Sequence, residues 1–280
     1  MKFLCAALLA SASALVAAEP AGWAPNLALT ATWNSNATNA DRSSDEISAL
    51  QLQADLGVFS KRISLGHDDA LILSGNVAVE TLPRFDSLGR FTFGPRIAWQ
   101  HKFGLGALAP VLRFEVSVDV VEARDEERSG TAGSGRLVWR QRFDETTQLT
   151  LGYERFRHHA RDELYNRTAG EATAELSHEL DEHWSFAVRA AWRQGDVLSY
   201  ASPPRPDLLT LSRDRDTVDT FGRSMIAYSI DARSLSGTIA LTRSVDERTA
   251  ISFAYEGRIT EHSPLRYVNH LVSTAISRQF

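Results

Sequence analysis

The chain has 280 residues, of which 43% are hydrophobic and 23% charged, and a formal net charge of −5. The acidic balance gives no support to nucleic-acid binding, and a slightly polar mean hydropathy of −0.22 argues against a bundle of membrane helices. Cys5 is the only cysteine, so no disulfide within the chain can stabilise the fold.

The N-terminus comes first. Lys2 is a short positive region, Phe3 to Val16 is apolar and rich in Ala and Leu, and Val16-Ala17-Ala18 is a small-residue cleavage signal. The apolar run is shorter than the ~20 residues a spanning helix needs, so residues 1–18 are expected to be a cleaved signal peptide. Cys5 lies too near the start to serve as a lipid anchor. Residues 19–280 then form a single domain without cysteine.

Beyond the leader, long runs alternate with period two. Strands are expected near 26–35, 47–60, 70–82, 89–103, 110–122, 134–143, 148–158, 168–180, 184–196, 225–243, 249–261 and 268–280. In the fourth, Phe91, Phe93, Pro95, Ile97, Trp99, His101 and Phe103 oppose Thr92, Gly94, Arg96, Ala98, Gln100 and Lys102. Pro95 breaks a ladder with no free edge, which predicts a bulge or a shorter strand. In the fifth, Leu112, Phe114, Val116, Val118 and Val120 oppose Arg113, Glu115, Ser117 and Asp119. The glycine-rich run Ser129 to Gly135 reads as a flexible outer loop. In the ninth, Trp184, Phe186, Val188, Ala190 and Trp192 oppose Ser185, Ala187, Arg189 and Ala191. Those two tryptophans stand ~20 Å apart along the normal of a tilted strand, near the spacing of two aromatic girdles. Ile251, Phe253 and Tyr255 repeat the pattern against Ser252, Ala254 and Glu256.

Three similar turns punctuate these runs: Phe143-Asp144-Glu145-Thr146, Leu180-Asp181-Glu182-His183 and Val245-Asp246-Glu247-Arg248. Each aspartate can accept from nearby backbone amides and close a tight turn. The aspartates are 37 and 65 residues apart, and the excess matches one insertion, Asp196 to Gly222. That segment holds Pro203, Pro204 and Pro206 and is expected to be a long external loop at about 197–223. Between Ile230 and Leu235 the alternation changes parity, which a bulge or an additional outer hairpin would explain.

The last run, His270 to Phe280, places Val272, Thr274, Ile276, Arg278 and Phe280 on one face and Ser273, Ala275, Ser277 and Gln279 on the other. It resembles the closing strand of Gram-negative outer-membrane β-barrels, although Arg278 stands where that class often carries a second aromatic. The resemblance implies an outer-membrane location, short periplasmic turns, longer extracellular loops, and recognition of Phe280 by the barrel assembly machinery. Strand lengths agree, since membrane strands need ~9–11 alternating residues against ~5–6 in soluble sheets. The expected fold is therefore all-β: a closed antiparallel transmembrane barrel of about 12 strands, with 14 as the alternative.

With apolar faces outward, the interior set includes Arg96, Lys102, Arg113, Arg136, Arg140, Arg142, Arg189, Arg193 and Arg258. It also includes Asp55, Glu80, Glu115, Asp119, Glu154, Glu171, Glu175 and Glu256. Opposed basic and acidic walls suit a narrow passive or loop-gated channel for small polar or anionic solutes. The alternative is that these charges pair into a plug, leaving a structural or surface-binding barrel. A lipid hydrolase is a third reading, with His270 and Ser263 as its best residues, but no GxSxG or HExxH motif is present. Adjacent His158 and His159 point to opposite faces and make a poor metal clamp. No catalytic, cofactor or metal site is expected. The sequons Asn36-Ala37-Thr38 and Asn166-Arg167-Thr168 carry little weight in a bacterial outer membrane. The mixed charges of the loops should disfavour apolar contacts and suit a hydrated surface among outer-membrane lipids and lipopolysaccharide.

Overall fold

A computed structural model describes residues 25–280. The leader expected at 1–18 lies outside the described residues. The strands are β1 (Asn26–Asn34), β2 (Ala49–Ser64), β3 (Asp69–Thr81), β4 (Arg90–Lys102), β5 (Val111–Ala123) and β6 (Gly130–Arg142). There follow β7 (Thr147–Ala160), β8 (Arg167–Glu179), β9 (Trp184–Ala201), β10 (Asp214–Val218), β11 (Met225–Ser244), β12 (Thr249–His262) and β13 (Leu265–Gln279).

Twelve of these form one antiparallel meander that closes on itself. Each strand pairs with its chain neighbours, β9 pairs with β11, and β13 returns to β1 through Asn26↔Gln279 to Asn34↔Leu271. Closure satisfies every ladder without an edge, which is the condition for backbone to cross hydrocarbon as strands. Among the described residues no helix is long and apolar enough to cross a membrane.

The outward face is apolar, as a wall facing lipid would be. Leu29, Ile97, Val118, Val188, Ile239, Phe253 and Ile276 all stand exposed on it. Aromatic residues border this band. At the end bearing short turns, Trp99, His101, Phe103 and Trp139 form a chain of ring contacts 4.5–5.9 Å apart, and Trp99 Nε1 donates to Asp69 at 3.0 Å. The Asp-Glu turns close that end. Asp144 Oδ1 accepts from the Thr146 amide at 2.8 Å and the Thr147 amide at 2.6 Å; Asp181 and Asp246 cap their turns in the same way. Hydrogen bonds from Thr146 and Thr147 hold the Asp144 carboxyl down at about 2, and comparable bonds lower Asp181 and Asp246.

Several expectations need correction. Pro95 causes neither a bulge nor a short strand: β4 runs its full length in register, and only the ladder to β5 skips Gly94 and Pro95. The register shift occurs in β2, between Gly57 and Phe59. The glycine-rich segment 130–135 is strand, not loop, because both neighbours supply a complete ladder to it. The strand count is twelve in the barrel. β10 is an extra strand that forms the outer hairpin expected as the alternative, pairing with β11 from Asp214↔Ser229 to Val218↔Met225, but it stays outside the closed ring and does not raise the count to fourteen.

The parity change near Ile230 does not come from a bulge. The β9–β11 register is continuous from Ile226↔Ala201 to Arg243↔Trp184, so no bulge intervenes. Instead the environment changes. Pairing of β9 with β8 stops at Gly195 and pairing of β11 with β12 stops at Arg233, so the two strands continue together above the wall. Gly195 makes the departure sterically feasible. Its φ is +142°, and a Cβ there would lie 2.2 Å from the Thr168 carbonyl oxygen. Above it, both faces of the hairpin are buried and the lipid-facing alternation ends.

Candidate functional site

The interior of the barrel and its two ends form the candidate site. The parity of the strands places Arg96, Arg113, Arg136, Arg140, Arg142, Glu154, Glu171, Glu175, Arg189 and Arg193 on the inner face. Cross-strand register aligns Glu115, Arg136, Glu154, Glu171 and Arg193 in one row, each directly opposite the next. A second row, nearer the short turns, contains Arg140, Thr150, Glu175, Arg189, Thr238 and Glu256.

Part of this charge is paired. Arg189 donates to Glu171 at 2.9 Å, Arg113 to Glu115 at 2.6 Å and Arg90 to Glu80 at 2.8 Å, while Arg258 binds Glu256. Such pairs offset the cost of removing ions from bulk water. Other groups keep unfilled capacity. Arg96 Nε, Arg140 Nε and Gln53 Oε1 are enclosed without a protein partner. Polar atoms of this kind are completed by water or by a polar solute.

At the turn end the interior opens as a vestibule of about 120 Å³. Much of its wall is made of small residues, Thr30, Ala240, Thr242, Ser252, Ala254 and Ser273, from β1, β11, β12 and β13. Charged Arg142 and Glu175 face them across the space, and Glu179, Asp181 and Glu182 stand at the rim. The volume holds several waters. Phe280 is exposed at this end, where its amide donates to the Pro25 carbonyl at 3.0 Å and Arg278 covers its ring.

At the opposite end loops from several strands converge in a cap. One face of the β9–β11 hairpin, carrying Leu198, Tyr200, Met225 and Ala227, packs on Phe85, Leu88, Leu164, Tyr165 and Phe221 from three loops. Phe221 stands edge-on to both Phe85 and Tyr200, at 5.0 and 4.9 Å. The other face, with Val197, Tyr228 and Ile230, packs on Leu208, Leu265 and Tyr267. The expectation that mixed charges would disfavour apolar contacts among the loops fails at this point. They build a small apolar core of their own. The segment 202–224 within it folds as a helical turn, α1 (Pro206–Leu209), and β10 rather than as an open loop.

Polar bonds fasten this cap to the β1–β2 loop. Asn39 Nδ2 donates to the Leu198 carbonyl and the Ser199 hydroxyl donates to the Asn39 carbonyl, both at 2.8 Å. The Arg128 guanidinium lies 4.2 Å over the Tyr165 ring and donates to the Tyr200 hydroxyl at 3.2 Å. Asn36 and Thr38 of the first sequon are buried inside the same network. Sequence reasoning put the cap segment at the right end but as an open loop at 197–223 beside a wall strand from 225, because no period marks a strand buried on both faces.

The remaining histidines are dispersed. His270 is exposed on the outer face, bonded to the Tyr255 hydroxyl at 2.8 Å, whereas Ser263 lies in the β12–β13 turn. Seven residues of strand separate them by ~20 Å, so they do not form a nucleophile–base pair. His101 contacts Asp69 and His178 contacts Thr147, each at 3.0 Å near the short turns. Among the described residues no group of three or more His, Cys, Asp or Glu is placed to hold a metal.

No protein-family model and no curated protein matches the sequence. Solved structures do. An outer-membrane channel from Pseudomonas putida F1 superimposes with a TM-score of 0.59 at 9% identity, covering 93% of this chain and 96% of the other. The NanC porin gives 0.50 at 6% identity, covering 90% and 98%. The fold is that of an outer-membrane β-barrel. In such barrels short turns are periplasmic and long loops extracellular, which would set the vestibule on the periplasmic side and the cap outside.

Proposed function

We propose that this protein is an outer-membrane channel for small polar or anionic solutes whose outer mouth is gated by its own loops. The observation that carries the reading is the asymmetry of the interior. A vestibule lined in part by Arg142 and Glu175 opens at the turn end, rows of charged residues lie on the inner face beyond it, and loops rather than barrel wall converge at the other end. Arg142 lines the vestibule and Arg113, Arg136 and Arg140 line one sector beyond it, and rings or ladders of arginine favour anions. The two channel-forming neighbours support this assignment through fold alone. Residence in the outer membrane belongs to the same proposal, as does recognition of the exposed Phe280 ring by the assembly machinery.

A second reading has its own support. The ion pairs inside and the apolar core of the cap would also suit a permanently closed, structural barrel. Planar-bilayer recording separates the two. The purified protein should show brief, small openings, and replacing residues 203–223 by a short Gly-Ser linker should make them long-lived and larger. Electrical silence of both folded proteins would favour the closed barrel and overturn the channel.

A further inference from the structure

The outer face of β7 breaks the apolar pattern of the wall. Leu149, Leu151 and Tyr153 point to lipid, but the next three outward positions are Arg155, Arg157 and His159, all exposed. They stand in a trough. Arg155 lies between Gly135 of β6 and Gly170 of β8, and Arg157 between Gly133 and Thr168. The glycine-rich run of β6 thus supplies one bank of the trough, with Val116 and Val118 of β5 beyond it.

The donors converge on Gly170. A Cβ there would stand 3.0 Å from the Tyr153 hydroxyl and 3.8 Å from Arg155 Nη1. Among the described residues neither Arg155 nor Arg157 takes part in an ion pair, whereas nearby Arg161 is paired with Glu126 at 3.0 Å. No carboxylate occupies an outward position beside the two arginines on β6 or β8. Their height fits a membrane boundary. They lie eight and ten residues above Thr147 at the other end of β7, ~20 and ~25 Å along the normal, against an apolar band ~25 Å tall. The other outward arginine pair at this rim, Arg233 and Arg266, has Glu261 in register between them and is a weaker anion site.

We propose that the β6–β8 trough binds the phosphate of an outer-leaflet lipid. Arg155 and Arg157 hold the phosphate with charge-assisted bonds, the Tyr153 hydroxyl donates to the same headgroup, and the acyl chains lie over Leu151, Leu137 and Val116. The missing side chains at positions 133, 135 and 170 let the headgroup approach the backbone. The site is independent of conduction through the lumen.

Native mass spectrometry of the detergent-solubilised full protein tests this with phosphatidic acid as the probe and phosphatidylcholine and inorganic phosphate as comparisons. Phosphatidic acid should bind about tenfold more tightly than phosphatidylcholine, and Arg155→Gln with Arg157→Gln should remove that preference. Arg233→Gln with Arg266→Gln should leave it intact. If the first double variant fails to fold, as judged by heat-modifiable migration, Gly170→Leu fills the trough without removing charge and should also weaken binding. Unchanged preference in the folded trough variants, or inorganic phosphate binding as tightly as the lipid, overturns the proposal.

Discussion

Arg205 and Asp41 meet in a two-pronged ion pair, with the guanidinium nitrogens 2.6 and 2.9 Å from the two carboxylate oxygens. The partners are 164 residues apart, so this contact ties the β1–β2 loop to the insertion that crosses the mouth. Arg205 also binds Asp207 at 2.6 Å, and its side chain is almost fully enclosed. One arginine therefore serves as the latch of the cap.

Arg205→Ala should release that latch. Removing one partner of an enclosed ion pair commonly costs about 3 kcal/mol, here drawn from closure of the cap rather than from the barrel. The expected outcome is faster proteolysis within 202–224 and a higher open probability, with unchanged heat-modifiable migration. Intact resistance to protease would show that the apolar clusters alone hold the mouth shut.

Acid should open the cap late. Its bonds to Arg205 hold the Asp207 carboxyl down at about 2, against ~3.9 for a free aspartate. A depressed carboxylate adds stability that is complete above the unfolded value and lost as pH falls through the folded one. Asp144 behaves likewise in its turn. Open probability should therefore stay flat from pH 8 to 5 and rise only between about pH 4 and 2, a trend single-channel recording would display.

Arginines of the lumen should set selectivity. Arg136→Ala with Arg140→Ala removes two cations from β6, in the same cross-strand rows as Glu154 and Glu175. Reversal potentials in a KCl gradient should move toward cation preference. A value identical to the unaltered protein would place the solute path elsewhere.

Gly195→Ala is expected to disturb the cap more than the barrel. The new methyl group would meet the Thr168 carbonyl oxygen, at a φ that L-residues seldom adopt. The cost is roughly 1–3 kcal/mol. Faster hydrogen exchange at 196–201 and 225–230, with the remaining strands unchanged, would check it.

How far the sequence could be read depended on what surrounds each strand. Where lipid lies on one side and the lumen on the other, as along Leu112–Val120, period two is strict and the strand is plain. The β9–β11 extension has protein on both sides and is buried without alternation, so Val197–Ala201 read as loop, and Met225–Ile230, though placed in a strand, read as an ordinary stretch of barrel wall. Gly130–Gly135 failed for a different reason: its weak strand propensity is overridden by ladders on both edges. The inward positions assigned to the charged residues rest on parity alone. Their ion pairs did not, because diagonal contacts such as Arg189 with Glu171 depend on register between strands.

The most direct test is to lock the cap covalently. Asn39 and Ser199 already touch across it, and the described residues contain no cysteine, so Asn39→Cys with Ser199→Cys offers a reversible bridge. In planar bilayers the oxidised protein should be silent and a reductant should restore openings in the same membrane. Conductance that is identical before and after reduction, with the bridge shown to form and break, would contradict a mouth gated by its loops.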